Sequence, residues 1–127
     1  MKLKKKSVNN IGRQGMSDPR DEIRIRYPET LKEFETIQKE MLYLFCEKQL
    51  DYGPSNIGMG KSKVKTDKDV RLSLMGLGTR LNDKISRFLN LTMQDRKPNN
   101  ESIDDTLIDI ANYAVMALIV RSKLWGQ

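Results

Sequence analysis

The sequence contains two pairs of acidic residues whose spacing places both carboxylates of a pair on one side of a helix. Glu47 and Asp51 form the first pair, and Asp105 and Asp109 form the second. Residues four apart are neighbours on a helix surface. Four carboxylates from two antiparallel helices make a hard-oxygen site that suits Mg²⁺ or Mn²⁺. Such an ion can hold the phosphates of a nucleotide and activate water for in-line attack.

A further helix is predicted to carry the matching positive charge. Lys84 and Arg87 lie on one side of it, where they could hold the remaining phosphate charge. Acidic and basic residues on facing helices also form ordinary surface salt bridges, so spacing alone leaves both interpretations open. The chain has no His, which argues against catalytic triads and structural zinc. The single Cys, Cys46, is more typical of a small core residue than of a reactive thiol.

Hydrophobic periodicity predicts a first amphipathic helix from about residues 29–30 to about residues 50–51. Thr30 with Glu33 three residues later has the form of a capping box, which favours a start at this point. The segment 53–69 is rich in Gly and Lys and is predicted to be a long connection. A loop of this length in a compact domain is usually functional or mobile.

Two more helices are predicted after this connection. The second covers about residues 70–91, in which Gly76 and Gly78 either permit close helix contact or mark a break near Gly78, because glycine is a poor helix former. The third covers residues 101–123 and is capped by Asn99 or Asn100. Its first half is acidic, and a buried row of carboxylates requires a cation beside it.

The predicted fold class is therefore all-α, in one domain. Three helices bury the apolar segment 114–120 poorly on their own, so we expect a helical bundle completed by a homodimer or homotetramer. The same apolar segment is much shorter than the roughly 20 residues that a membrane span needs. Nothing resembles a secretory signal, and the sequence indicates a soluble, cytoplasmic protein.

The net charge of +6 is distributed unevenly. Residues 1–26 contain eight Lys or Arg and three Asp or Glu, whereas residues 27–127 contain fifteen and fourteen. We therefore expect a basic, disordered arm followed by a nearly neutral domain. Alternation in residues 21–27 predicts a short extended segment within the arm. Nucleic-acid binding through the arm is the weakest functional hypothesis, because the domain shows no basic stripe.

Three segments together resemble a known family. They are EKQLDYG at 47–53, RLNDKISRFLNL at 80–91 and ESIDDTLIDIANYAVMAL at 101–118. Their order and content resemble the nucleotide modification associated domain 1 family, which is common in phages and related to the MazG-like all-α nucleoside triphosphate pyrophosphohydrolases. The resemblance covers about residues 29–122.

The resemblance implies a Mg²⁺-dependent enzyme of phage nucleotide metabolism that cleaves a nucleoside triphosphate to a monophosphate and pyrophosphate. It implies that the two acidic pairs bind the metal, with Glu47 and Asp109 also catalytic. Lys84 lies in the matching DK motif and would contact phosphate as a catalytic residue. The remaining substrate-binding residues that it implies are Arg87, Asn112 and Tyr113.

The acidic spacing differs from that of the better-understood MazG-like enzymes. Those enzymes use pairs spaced i, i+3, whereas both pairs here are spaced i, i+4. Both spacings keep a pair on one helix face, and Glu101 or Glu40 could complete the ligand set. The difference leaves a second hypothesis open, in which the protein binds a nucleotide without cleaving it. A phage sponge that sequesters a host immune signalling nucleotide would be of this kind.

Overall fold

The computed structural model describes residues 18–95 and 97–127, and this part of the chain contains four helices and no strands. The helices are α1 (Pro19–Arg26), α2 (Pro28–Tyr52), α3 (Asp67–Met93) and α4 (Ile103–Arg121). The all-α prediction is therefore confirmed, with one more helix than expected. No helix in the described residues is both long enough and apolar enough to cross a membrane.

The prediction of an extended segment at residues 21–27 is wrong, because α1 occupies almost all of it. The carboxylate of Asp18 accepts a hydrogen bond from the backbone N–H of Arg20 at 2.9 Å, which caps the helix. Glu22 and Arg26, one turn apart, form an ion pair of 2.7 Å. These local interactions favour a helix over the strand that the alternation of side chains indicated.

Most of the predicted basic arm, residues 1–17, lies outside the described residues. Its last part forms α1, which is tied to the next helix by an ion pair of 2.9 Å between Arg24 and Glu35. Residues 19–26, which the charge distribution assigned to the arm, are therefore helical.

The second helix begins and ends close to the predicted limits but is capped differently. Tyr27 is the N-cap residue and Pro28 occupies the first turn, where a missing N–H costs nothing. Thr30 lies inside the helix, so the predicted capping box does not start it. Gly53, with a φ of 69°, ends the helix in a conformation that glycine adopts without strain.

The third helix starts earlier than predicted and is continuous. The hydroxyl of Thr66 accepts a hydrogen bond from the N–H of Asp69 at 3.1 Å, which fixes the start. The predicted break near Gly78 is absent, and the helix passes through both of its glycines. At Gly76 an added Cβ would lie 3.0 Å from the sulfur of Met59, so this glycine permits a close contact with the preceding connection.

The fourth helix is capped by Ser102, and the predicted caps at Asn99 or Asn100 are wrong. The Ser102 hydroxyl accepts a hydrogen bond from the N–H of Asp105 at 3.0 Å. Ser, Asp and Asn are about equally good N-cap residues, so the sequence does not distinguish among these neighbouring positions.

The core lies between α3, α4 and two non-helical segments. We call residues 53–66 the crossover and residues 122–127 the C-terminal tail. The buried apolar cluster consists of Ile57, Val64, Leu77, Met116, Val120 and Trp125. Half of it therefore comes from outside the helices, and the apolar segment of α4 contributes Met116 and Val120.

Candidate functional site

The acidic side chain of Asp109 lies at the centre of a network of ion pairs. It belongs to the middle of α4 and is only 8% exposed. One carboxylate oxygen lies 2.6 Å from the Nζ of Lys48 on α2, and the other lies 2.9 Å from the Nζ of Lys84 on α3. Three helices thus meet at one buried carboxylate.

The ammonium group of Lys84 connects Asp109 to a second carboxylate. Its Nζ lies 2.8 Å from the Oε2 of Glu101, which stands just before the N-cap of α4. Both carboxylates therefore approach the same cation. The network contains two acidic and two basic groups and extends from Lys48 to Glu101.

The ion pairs change the pKa values of Asp109, Lys48 and Lys84. Burial acts to raise the pKa of Asp109, but hydrogen bonds from Lys48 and Lys84 outweigh it and hold that pKa below its usual value. Burial acts to lower the pKa of each lysine, but the carboxylates outweigh it and raise both. All three groups are consequently ionised at neutral pH.

A cavity of about 270 Å³ opens beside this network. It is lined by Lys48, Gln49, Tyr52, Asn56, Ile57, Arg80, Lys84, Glu101, Asp109, Tyr113 and Met116. Its volume is close to the lower end of the range for small-molecule sites, about 300–1,000 Å³. Three cationic and two acidic side chains give it a net positive charge.

The structure does not gather the four carboxylates that the sequence suggested as metal ligands. Asp109 lines the cavity, but Glu47, Asp51 and Asp105 are exposed and do not. Within residues 18–95 and 97–127, no group of three or more His, Cys, Asp or Glu side chains could hold a metal ion. The acidic residue that joins Asp109 at the cavity is Glu101.

The other predicted site residues divide between the cavity and the packing of the helices. Tyr113 lines the cavity. Arg87 does not, because its guanidinium donates to the hydroxyl of Thr106 at 2.6 Å and to the carbonyl of Glu101. Asn112 is buried and donates to the carbonyl of Met41 at 3.1 Å, which joins α4 to α2.

Two cations of the cavity were missed by reasoning from the sequence. Lys48 lies between the acidic residues of the first pair and is 61 residues from its partner Asp109. Arg80 starts the second quoted motif, but no partner was predicted for it. For Arg80 the signal was its place on the same side of the helix as Lys84, four residues later. Lys48 was marked only by its position in the first motif, because its pairing depends on tertiary structure.

The fold and site together define a small all-α protein in which three helices surround a charged, ligand-sized cavity. The sequence profile of nucleotide modification associated domain 1 matches residues 48–120, which is more than half of the chain, and the protein belongs to this family. The match includes all four members of the ion-pair network. Neither the curated proteins nor the solved structures contain a significant match to the chain.

Proposed function

We propose that the cavity binds a nucleoside triphosphate and that the protein hydrolyses it to a monophosphate and pyrophosphate in a Mg²⁺-dependent reaction. The observation that supports this most directly is the meeting of Lys48, Lys84 and Arg80 with two carboxylates in one cavity. Membership of a family associated with nucleotide modification supports the choice of a nucleotide as ligand. The resemblance to phage proteins favours a role in phage nucleotide metabolism.

The three cations are suited to hold phosphate groups. Charge-assisted hydrogen bonds from ammonium and guanidinium groups to phosphate are among the strongest in proteins. Within the described residues, Arg80 has no ion-pair or hydrogen-bond partner. It can therefore bind a phosphate without breaking an existing interaction. Lys48 is 47% exposed at its side chain, so a ligand can reach its ammonium group, which also remains bonded to Asp109.

The two carboxylates of the cavity suit a Mg²⁺ ion whose remaining ligands are substrate phosphates and waters. Mg²⁺ is usually held by about one or two carboxylates, substrate phosphates and waters. Glu101 and Asp109 both contact one cation in the structure, the ammonium group of Lys84. They would therefore be the protein ligands of the Mg²⁺ ion. The bound ion would supply charge neutralisation and polarisation of the phosphoryl group.

The lysines and tyrosines have separate tasks in this proposal. Lys48 and Lys84 stabilise the negative charge that develops on the departing pyrophosphate, where preorganised cations act most strongly. Tyr52 and Tyr113 offer aromatic faces to the nucleoside, while Asn56 offers a hydrogen-bonding amide. Aromatic stacking accepts every base, so this part of the cavity does not specify one.

The test is pyrophosphate release from a panel of common and modified nucleoside triphosphates, with Mg²⁺ and with Mn²⁺. We expect turnover by the wild-type protein and a loss of about a hundredfold or more in Asp109→Asn. Asp83→Asn is the matched control, since Asp83 is exposed on α3 and does not line the cavity. No turnover across the panel by the folded wild-type protein would contradict hydrolysis.

The same experiment distinguishes a metal site made of Glu101 and Asp109 from the four-carboxylate site that the sequence suggested. Loss of turnover in Glu101→Gln, but not in Asp105→Asn, supports the pair. Loss in both variants, and in Glu47→Gln and Asp51→Asn, would favour a site of more carboxylates than this single chain brings together.

Binding without cleavage is the second candidate function. It is favoured by one specific feature, namely that both oxygens of Asp109 are already held by ammonium groups. Recovery of an intact nucleotide from the denatured complex would support it. Recovery of the monophosphate and pyrophosphate would rule it out.

A further inference from the structure

A single residue of the C-terminal tail holds both ends of the crossover. Trp125 is 2% exposed, and its indole N–H donates to the carbonyl of Pro54 at 2.9 Å, near the start of the crossover. The N–H of Val64, near the end of the crossover, donates to the carbonyl of Trp125 at 3.3 Å. Its side chain and its backbone are therefore both used to fix the connection between α2 and α3.

Two further contacts bring the tail and its surroundings together. Gly126 has a φ of 81°, and a Cβ at this position would overlap the carbonyl of Ser62. Glycine is thus required both by the backbone conformation and by the close approach of the two segments. The rings of Trp125 and Phe45 on α2 are 6.1 Å apart at 68°, an edge-to-face arrangement that aromatic pairs favour.

The end of α4 directs the tail toward the crossover. Lys123 has a φ of 59°, its N–H donates to the carbonyl of Val120 at 2.9 Å, and the N–H of Leu124 donates to that of Ile119 at 3.3 Å. This is the hydrogen-bond pattern of a Schellman motif, which reverses the chain after a helix. The Nζ of Lys123 also lies 2.8 Å from the carboxylate of Asp67 at the start of α3.

The crossover forms one wall of the cavity. It supplies Asn56 and Ile57 to the lining, and Ile57 also packs in the same apolar cluster as Trp125. The carbonyl of Pro54 accepts a hydrogen bond from the N–H of Gly58 at 3.0 Å in addition to that from the indole. A connection without a helix has many alternative conformations, so whatever holds it determines where this wall lies.

We propose that Trp125 is a positioning residue for the cavity. It does not touch the ligand, and it acts by fixing the crossover so that Asn56 and Ile57 stay in place against a bound nucleotide. The functional part of this inference rests on the proposed function of the cavity. The structural part, the hold on the crossover, can be measured without any ligand.

Two variants of the full chain release this hold in different ways. Trp125→Phe keeps an aromatic ring in the core and removes the N–H that Pro54 accepts. Gly126→Ala leaves Trp125 unchanged and places a methyl group against the carbonyl of Ser62. Leu124→Ala is the control, because Leu124 belongs to the same tail and is 60% exposed.

Amide hydrogen exchange and nucleotide binding are measured for all four proteins. The probes are the α,β-methylene analogues of the four common deoxynucleoside triphosphates, which cannot be cleaved between those phosphates. In Trp125→Phe and Gly126→Ala we expect the amides of Gly58 and Val64 to exchange about tenfold faster, while those of α3 are unchanged. Binding of the analogues should be about tenfold weaker in both variants and unchanged in the control.

Exchange at Gly58 and Val64 equal to that of the control would overturn the inference. Wild-type affinity in variants whose crossover exchanges faster would also overturn it, because the cavity would then not depend on the hold. A wild-type protein that binds none of the analogues contradicts the proposed function instead, and the exchange rates alone then decide whether Trp125 holds the crossover.

Discussion

The stability of the folded protein depends on how the charge of Asp109 is compensated. A buried carboxylate that loses its partner destabilises a protein by about 3–5 kcal/mol, so a phosphate cannot simply draw Lys48 and Lys84 away from it. A divalent ion bound with the phosphate would replace the positive charge that the lysines direct to the ligand. This exchange of cations is the physical reason why the proposed function includes Mg²⁺.

The ion pairs of Asp109 predict how stability depends on pH. Because its pKa is lowered from 3.8, its contribution is present above that pH and is lost as pH falls through the folded-state pKa. The raised pKa values of Lys48 and Lys84 act in the opposite direction, so their contribution is complete below pH 10.5 and is lost above it. The network therefore stabilises the fold between these limits.

Urea unfolding of wild type and Asp109→Asn between pH 7 and pH 3 tests this dependence. At pH 7 the variant should have a free energy of unfolding about 1–3 kcal/mol lower, because two charge-assisted hydrogen bonds are lost. The difference should shrink as pH falls below 3.8. Asp83→Asn is the control and should follow the wild type throughout, and a pH-independent difference for Asp109→Asn would contradict the assignment.

The sequence identified part of this site. Asp109, Lys84 and Tyr113 were predicted and line the cavity, as does Glu101, which the sequence offered as an additional ligand. The sequence also indicated that a cation must neutralise the acidic half of α4, but it left open whether this was a metal or a basic side chain. Lys48 could not be chosen as that partner, because helix spacing relates residues within one helix and carries no information about pairing between helices.

At the scale of the helices, the start of α4 determines where one acidic group of the cavity lies. Ser102 caps the helix, and Glu101 immediately precedes it. Arg87 of α3 donates to the backbone carbonyl of Glu101 and to Thr106, so it fixes this start against α3. The interpretation of Arg87 as a phosphate ligand remains a prediction, but its contacts in the structure are those of a tether.

Replacing Ser102 tests whether its hydroxyl stabilises the start of α4. Ser102→Ala should lower the free energy of unfolding by about 1 kcal/mol, because the N–H of Asp105 loses its acceptor. Ser102→Asp is the matched control, since aspartate is an equally good cap and should retain stability. Thermal or urea unfolding measures both. Equal losses in the two variants would mean that the hydroxyl does not act as the cap.

The helices themselves were largely predictable, whereas the residues that cap them were not. Periodicity located α2, α3 and α4, because long apolar stripes are a strong signal. The first helix was missed because its eight residues contain alternating Ile and Arg, and local capping decided its conformation instead. Gly78 did not break α3, since one glycine costs a helix only about 1 kcal/mol and the neighbouring Leu77 anchors the helix in the core.

At the scale of the molecule, α2 is a long helix that the described residues leave largely exposed. The helix has 25 residues, and within the described structure none of them is buried. Its large exposed apolar side chains are Phe34, Ile37, Leu42, Tyr43, Leu50 and Tyr52. A helix with this many exposed apolar side chains is a candidate interaction surface.

We predict that a second copy of this chain covers α2. Residues 1–17 are basic and lack an apolar stripe, so they are chemically unsuited to this surface, whereas another α2 has the same need for burial. Sedimentation or light scattering should find a dimer or tetramer, and Phe34→Glu or Leu42→Glu should shift it to the monomer because each places a charge in the apolar contact. Thr36→Glu, an exposed polar position on the same helix that is neither three nor four residues from Phe34 or Leu42, should not. A monomeric wild-type protein, or an oligomer that resists both charged variants, would contradict this assignment of the surface.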